Sequence, residues 1–492
     1  MLAVRCGANR VTRPAGPRGL WLLALVVAAS GCGGNEHAPA SPSPPQLPAD
    51  TAFPDPGLTP PLEPPAAGQE LSTAPIPAPP RAPSTAILQD KSQPSKKALE
   101  GIGYVGGTER PTTNDLITVH DRRRTFAGIN FFTSGHGPEA LLMDMEGRIL
   151  HRWRYPFEKA WPELPAGMSP ERGYEHEYKD HFRRAHLFTN GNLLGIFDGF
   201  GLLKLDKHSN LIWARLNRAH HDLQVLPNGE IHVITHRGHV IPWVHETQEI
   251  FEDFITVLDA QGNEKKRVSL LDCLRNSGFQ IDRSRIVAKD RIVSILHTNT
   301  LEVLDGRPVN ETRRLSDPAA LIAGQPWMLS GYRWNPFRQG NVLTSIRASD
   351  LIAVVDPDIE KVVWAMKGIF KQQHEPTLLE NGNLLLFDNL GHPDRSSVLE
   401  FRPFTGEVTW LYRGAPEHPF FSKTCGTASR LPNGNTLITD SNRGRAFEVT
   451  PSGEIVWEYY NPARTGENDE YVAMIYEMVR LPPDFPLAWL ED

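Results

Sequence analysis

The chain has 492 residues, 40% hydrophobic and 22% charged, which is enough for a large globular core with residues to spare. Its formal net charge is -7 and it holds no long basic run, which argues against nucleic acid as a partner. Four cysteines are too few for a disulfide framework, and only Cys273 and Cys425 lie in the body of the chain; a bridge between those two and a pair of buried free thiols both stay open.

Residues 1–31 read as a lipoprotein signal peptide rather than part of the fold. Arg5, Arg10, Arg13 and Arg18 form a positive leader, LWLLALVVAA is an apolar run too short for a comfortable membrane span, and Ala29-Ser30-Gly31-Cys32 follows at once. Small residues ending on cysteine resemble a bacterial lipobox. The resemblance implies cleavage before Cys32, a lipid on its sulfur, and a mature chain anchored in the cell envelope, periplasmic or on the outer membrane. The plainer alternative is an ordinary secreted protein with an incidental cysteine. Residues 32–99, with SPSPPQLPAD and APIPAPPRAP, are dominated by Pro, Ala, Ser and Thr. Such a stretch cannot bury enough apolar surface to offset its ordering entropy, so it reads as a disordered tether between anchor and body.

The body, residues 100–492, repeats. One turn type is Asn-Gly before an apolar run, in TNGNLLGIFD, LPNGEIHVIT, ENGNLLLFDN and LPNGNTLITD, with FRQGNVLTSI as a looser copy. Asn-Gly between apolar runs is the strongest short hairpin signal. The other turn precedes an aliphatic pair and often tryptophan, in EGRILHRW, HSNLIW, DIEKVVW, TGEVTW and SGEIVW, with DAQGNEKKRV lacking the tryptophan. Each pair of hairpins is one four-stranded unit, and units fall near 115–160, 182–217, 220–270, 290–367, 374–412 and 425–461. The expectation is an all-β, six-bladed β-propeller. The fourth unit is lengthened by DGRPVNETRRLSDPAALIAGQPW, expected to form a loop over one face; the tail after residue 462 has a helical and then irregular look. Gly101-Ile102-Gly103-Tyr104-Val105-Gly106 matches GxGxxG, but no strand precedes it and no long helix follows, so a nucleotide role is set aside.

Repetition lets the strand starts be stacked on their turns. The frames HHDLQVLPNG, HTNTLEVLDG, QHEPTLLENG and CGTASRLPNG end at Gly229, Gly306, Gly382 and Gly434. His220 then aligns with His297 and His221 with His374, and the third place holds Asp222, Asn299, Glu375 and Thr427. Innermost strands of a propeller converge on the central channel, so these residues should meet near the axis. Arg347, in NVLTSIRASD, ends the next strand of the fourth unit and could face the same channel. A lone histidine at a strand start is more often a satisfied structural group, but three with an arginine in corresponding places point to a site. Asp222 and Glu375 either bond local backbone or orient a neighbouring imidazole. His232, His236 and His239 read as surface or packing.

An arginine among the histidines disfavours a metal, whose charge it repels, and suits a tetrahedral oxyanion held by the guanidinium fork. A neutral imidazole, with its ordinary pKa of about 6.5, can also be a nucleophile near neutral pH. Neither a metal nor an organic cofactor is expected.

HHDxxxLPNG at 220–229, the HxN of His297 and Asn299, the SxR of Ser345 and Arg347, QH at 373–374 with ENGNLLLFDN, and SGEIVW at 452–457 occur in this order. Together they resemble the bacterial arylsulfate sulfotransferase family over roughly residues 180–465. The resemblance implies a six-bladed propeller outside the cytoplasm that moves a sulfuryl group from an aryl sulfate donor to a phenolic acceptor, without the nucleotide sulfate donor (PAPS) of cytosolic enzymes. It implies His374 as nucleophile through a sulfohistidine, Arg347 and His297 on the sulfuryl oxygens, and one of His220 and His221 assisting proton transfer or charge stabilisation. His221, which precedes Asp222, is preferred, though the frame does not separate the two. The insertion after His297, Glu375 beside the nucleophile and the lack of a closely spaced cysteine pair depart from the family pattern. The competing readings are a non-catalytic propeller that binds a ligand or another envelope protein, and a metal-dependent lactonase or esterase. A homodimer is left open.

Overall fold

The structure, a computed structural model, describes residues 106–165, 179–286, 292–309 and 326–491. The signal peptide, Cys32, the tether, residues 101–105 of the glycine-rich run and 310–325 of the insertion lie outside the described residues.

Among the described residues six sheets form the six blades, each built on four antiparallel strands in meander order. The innermost strands of blades two to six are Arg184–Leu187, Ala219–Val225, Thr298–Val303, His374–Leu378 and Thr427–Arg430, each at the start of its expected unit. Asn-Gly and related turns place a glycine at positive φ where the hairpin requires it, as at Gly229 and Gly382, where φ is 85° and 79°. Apolar residues fill the spaces between blades, so second strands such as Leu384–Asp388 are buried throughout, whereas outer strands such as Val408–Tyr412 are largely exposed.

The repeated tryptophan joins one blade to the next. The buried indole N–H of Trp153 donates to Gly191 O at 2.9 Å, Trp364 to Pro403 O at 3.2 Å and Trp457 to Met145 O at 3.0 Å; the half-buried Trp410 does the same to Pro451 O at 2.8 Å. Each is a fourth-strand side chain reaching a turn of the following blade, which explains why tryptophan recurs in the second hairpin.

Three expectations are corrected. The tail is not helical: Ile475–Leu481 is a strand, and it supplies the innermost strand of blade one, beside Ile129–Ser134. Ile117–His120, expected to open the first unit, instead pairs with Ile455–Tyr460 as a fifth, outer strand of blade six. The two ends of the body therefore cross, each completing a sheet begun by the other, and the ring is closed by hydrogen bonds at both its inner and outer rims. The described end of the insertion is not a loop alone, because Trp327–Met328 pairs with Lys361–Met366 on the outer edge of blade four.

Candidate active site

The inner strands of blades three, four and five are each bulged at their start. Ala219 and Leu223 face Thr235 and Val233; Thr298 and Thr300 face Ile346 and Ser345; His374 and Thr377 face Phe387 and Leu385. Each inner strand carries extra residues there, which breaks the ladder and re-aims side chains. His221, His297 and Glu375 sit at φ of 56°, 51° and 49°, a left-handed conformation that non-glycine residues seldom adopt outside constrained sites.

His374 is 3% exposed. Its Nδ1 lies 2.7 Å from Asn389 Oδ1, and Asn389 Nδ2 donates to Ser422 O and Cys425 O at 2.7 and 2.9 Å. The amide is thereby oriented, Oδ1 can only accept, and the imidazole proton must sit on Nδ1. Nε2 is left as a buried lone-pair nitrogen with no hydrogen-bond partner. Burial first, then the charges of Arg347 and Arg183, hold the His374 pKa well below the usual imidazole value, so the ring is neutral.

His297 and His221 are held neutral in the same way, His297 by burial and then Arg347, His221 by burial and then Arg183. Their rings meet edge to face with centroids 5.0 Å apart. Arg347 follows Ile346, the cross-strand partner of Thr298, and its Nη2 donates to Gln372 Oε1 at 2.7 Å, two residues before His374. The charge of Arg347 acts on the imidazoles of both His297 and His374. His220 and His221, which the frame leaves equivalent, are distinct in space. His221 lies toward His297 and His374. His220 is set back, its Nδ1 2.8 Å from His221 Nδ1 and its ring 4.7 Å from that of His236. His236 packs on Phe251 at 4.2 Å and His239 meets Glu252 at 2.7 Å, in line with packing and surface roles.

Asp222 and Glu375 do not orient the histidines. Both hold Arg184, whose Nε donates to Asp222 at 2.8 Å and Nη2 to Glu375 at 2.7 Å, while Nη1 reaches Glu477 at 2.6 Å. Asp222 also accepts Leu301 N at 2.8 Å, tying blade three to blade four. Four inner strands thus meet around one buried guanidinium. Burial pushes Asp222 up to about 6 and Glu477 up to about 7 against the pull of Arg184.

Arg183 is a residue the sequence reading missed. It stacks over Tyr476 of the closing strand at 5.0 Å, and its charge acts on His221, His297 and His374. The signal was present, because FRRAHLFTNG ends at Gly191 in the same ten-residue frame. There Arg183 shares the second place with His221 and His374, and Arg184 the third with Asp222 and Glu375. Asn389 and the carboxylates Asp198 and Asp253, which lie near His221 and His220, carry no such signal, since they come from other strands of the blades.

Two guanidiniums and three neutral imidazoles converge from blades two to five. The set suits a small oxyanion on the arginines beside an unprotonated nitrogen nucleophile. Two groups behind it have metal-ligand chemistry: Asp198 with His220 and His221, and His220 with His236 and Asp253, each with its ligand atoms within 4.8 Å of one another.

A family model described as arylsulfotransferase (ASST) matches residues 186–462, more than half of the chain. The chain belongs to the arylsulfotransferase family. No curated protein matches it in sequence. Among solved structures it is similar to a protein of unknown function from Bacteroides caccae at 12% identity, covering 72% of this chain and 98% of that one, with a TM-score of 0.40. It is also similar to virginiamycin B lyase from Staphylococcus aureus at 12% identity, covering 57% and 69%, with a TM-score of 0.30. Apo AztD from Citrobacter koseri is similar at 12% identity, covering 74% and 100%, with a TM-score of 0.32.

In this arylsulfotransferase-family chain the matched segment spans blades two to six and holds His220, His221, His297, Arg347 and His374. Arg183 and Tyr476 lie just outside it, at the closing seam. Cys273 and Cys425 are both buried free thiols, so the bridge between them is not formed. No helix among the described residues is long and apolar enough to cross a membrane.

Proposed function

We propose that the protein transfers a sulfuryl group from an aryl sulfate donor to a phenolic acceptor through a covalent adduct on His374, independently of PAPS. The observation that carries the reading is the Asn389-oriented His374, whose Nε2 is a buried lone pair among Arg183, Arg347, His221 and His297.

In the first half-reaction the Nε2 lone pair attacks sulfur and the bond from sulfur to the aryl oxygen breaks. The leaving aryloxide takes a proton from His221. Arg347 and His297 hold the equatorial oxygens, and the same groups serve the second half-reaction. There the acceptor hydroxyl gives its proton back to His221, its oxygen bonds to sulfur, and the S–N bond breaks to restore the lone pair. Asn389 accepts from Nδ1–H throughout, so nitrogen never competes for its own proton.

Localisation belongs to the same proposal. A lipid on Cys32 and the tether of residues 32–99 would stand the propeller off a membrane of the cell envelope, where aryl sulfates and phenols reach it from outside the cytoplasm. Fractionation of cells expressing wild type and Cys32→Ser tests it: wild type is expected with membranes and the variant free of them, and equal distribution would contradict it.

Incubation of the purified body with a chromogenic aryl sulfate and phenol tests the chemistry. Wild type is expected to release the donor phenol and form phenyl sulfate, and His374→Ala to do neither. Wild type inert over a panel of donors would favour the non-catalytic propeller.

A further inference from the structure

Behind His221 the molecule holds a line of groups that the transfer reaction as described does not use. His221 Nδ1 is 2.8 Å from His220 Nδ1, and the other nitrogen of His220, Nε2, is 3.7 Å from Asp253 Oδ1. His220 is 4% exposed and Asp253 1%, and His220 Nε2 is buried without a hydrogen-bond partner. Asp253 is fixed from its other side, where Oδ2 accepts Thr298 N at 2.9 Å, the residue after His297.

We propose that Asp253 is a positioning residue for proton transfer, acting through His220 on His221, and that the three form a relay which switches between acid and base in the two half-reactions. The proposal rests on the sulfuryl-transfer reading of the site.

The Nδ1 to Nδ1 contact allows one proton between the two rings, so the tautomers of the pair are locked together. When His220 Nδ1 donates, His221 carries its proton on Nε2 and is an acid. His220 Nε2 is then a lone pair that accepts from a protonated Asp253. When His221 Nδ1 donates, its Nε2 is a lone pair and a base; His220 Nε2 then carries a proton that faces ionised Asp253. In the first half-reaction His221 gives its Nε2 proton to the leaving aryloxide, takes one on Nδ1 from His220, and His220 takes one on Nε2 from Asp253. The second half-reaction runs each transfer backward, starting from the acceptor hydroxyl. Asp253 thus holds one proton while His374 is free and is ionised while His374 carries the sulfuryl group; that proton leaves with the donor phenol and is replaced from the acceptor hydroxyl, so the cycle balances.

Burial favours the neutral form of both Asp253 and His220, the state from which the relay starts. The charged or titratable groups around Asp253 are His220, its cross-strand partner His236, and Glu252. A shift of about 0.5 Å brings the 3.7 Å separation to hydrogen-bond length.

Asp253→Asn keeps an acceptor for Thr298 N and removes the proton store. Turnover is measured over a series of aryl sulfates whose leaving phenols differ in pKa, with one acceptor. A good leaving group needs no proton, so the deficit of Asp253→Asn should be small for 4-nitrophenyl sulfate and grow to about 10²-fold for phenyl sulfate. Asp253→Glu should recover part of it. A deficit equal across the series would mean a structural role and would overturn the relay, even if the variant is partly misfolded, since active fraction cancels in the slope. Loss of wild-type activity on chelation, restored by a divalent cation, would also overturn it in favour of a metal at His220, His236 and Asp253. Wild type unable to turn over any donor would instead fail the underlying reading, before the relay is reached.

Discussion

His374 Nδ1 is held 2.7 Å from Asn389 Oδ1, and that contact decides which nitrogen of the imidazole can act on a substrate. Asn389→Ala should lower the rate of phenol release about 10²-fold or more, because the ring loses the partner that fixes its tautomer. It should also cost stability of about 1–3 kcal/mol, since Cys425 O loses the Asn389 donor and Ser422 O keeps only that of Ser396. Parallel kinetics and denaturant unfolding separate the two effects.

The pH dependence follows from the burial of His374. Its pKa in the folded chain lies well below the ordinary value of about 6.5, so the nucleophile stays unprotonated as the pH falls through that value. With a donor of good leaving group, kcat/KM should be level from pH 8 through 6.5 and fall only at more acidic pH. An inflection at about 6.5 would mean that the reacting group is an ordinary imidazole.

Arg347 supplies direction as well as charge. Arg347→Ala is expected to reduce kcat/KM by about 10²–10³-fold, the scale for losing a donor to a developing oxyanion. Arg347→Lys should regain only part, because an ammonium cannot hold two oxygens at once. Full recovery in the lysine variant would reduce the role to bulk electrostatics.

Arg184 is expected to matter for folding rather than for turnover per folded molecule. Arg184→Met leaves Asp222, Glu375 and Glu477 without their shared cation, at a cost of about 3–5 kcal/mol. Asp222 and Glu477 have folded pKa values of about 6 and about 7, above those of the unfolded chain. Their contribution is fully present below the unfolded values near 4 and lost as pH rises through 6 to 7. The deficit of the variant should therefore be larger at pH 8 than at pH 5, by urea unfolding at both.

The tryptophan of the second hairpin gives a test of the ring. Trp457→Ala should destabilise by about 3–5 kcal/mol through the cavity it leaves. Trp457→Phe should cost about 1–2 kcal/mol, mostly the unmet Met145 carbonyl. Thermal unfolding of the pair against wild type reads the difference.

Most of the ring was legible because each blade announces itself twice, by Asn-Gly and by an aliphatic pair with tryptophan. The closing strand was not. IYEMVRL follows no such turn, its Ile, Met and Val are spaced as a helix would space them, and its partner Ile129–Ser134 lies at the other end of the body. Stacking frames brought His221, His297 and His374 to one place, and extended to blade two it would also have brought Arg183. The frame left His220 and His221 equivalent because bulges of unequal length shift the inner strands, and a turn-anchored alignment does not see a bulge. It likewise placed Asp222 and Glu375 beside imidazoles in sequence, while in space they turn to Arg184. Asn389 lies beyond the reach of the frame, since it follows the second strand of its blade.

The central claim is a sulfuryl group on His374. The most direct measurement is peptide mass analysis of protein mixed with an aryl sulfate, without acceptor, and quenched in base within the first turnover. The account expects the mass of one SO3 on the peptide that carries His374, absent in His374→Ala and discharged when phenol is added. Phenol release at full rate with no such adduct at any time, or an adduct on another residue, would contradict it.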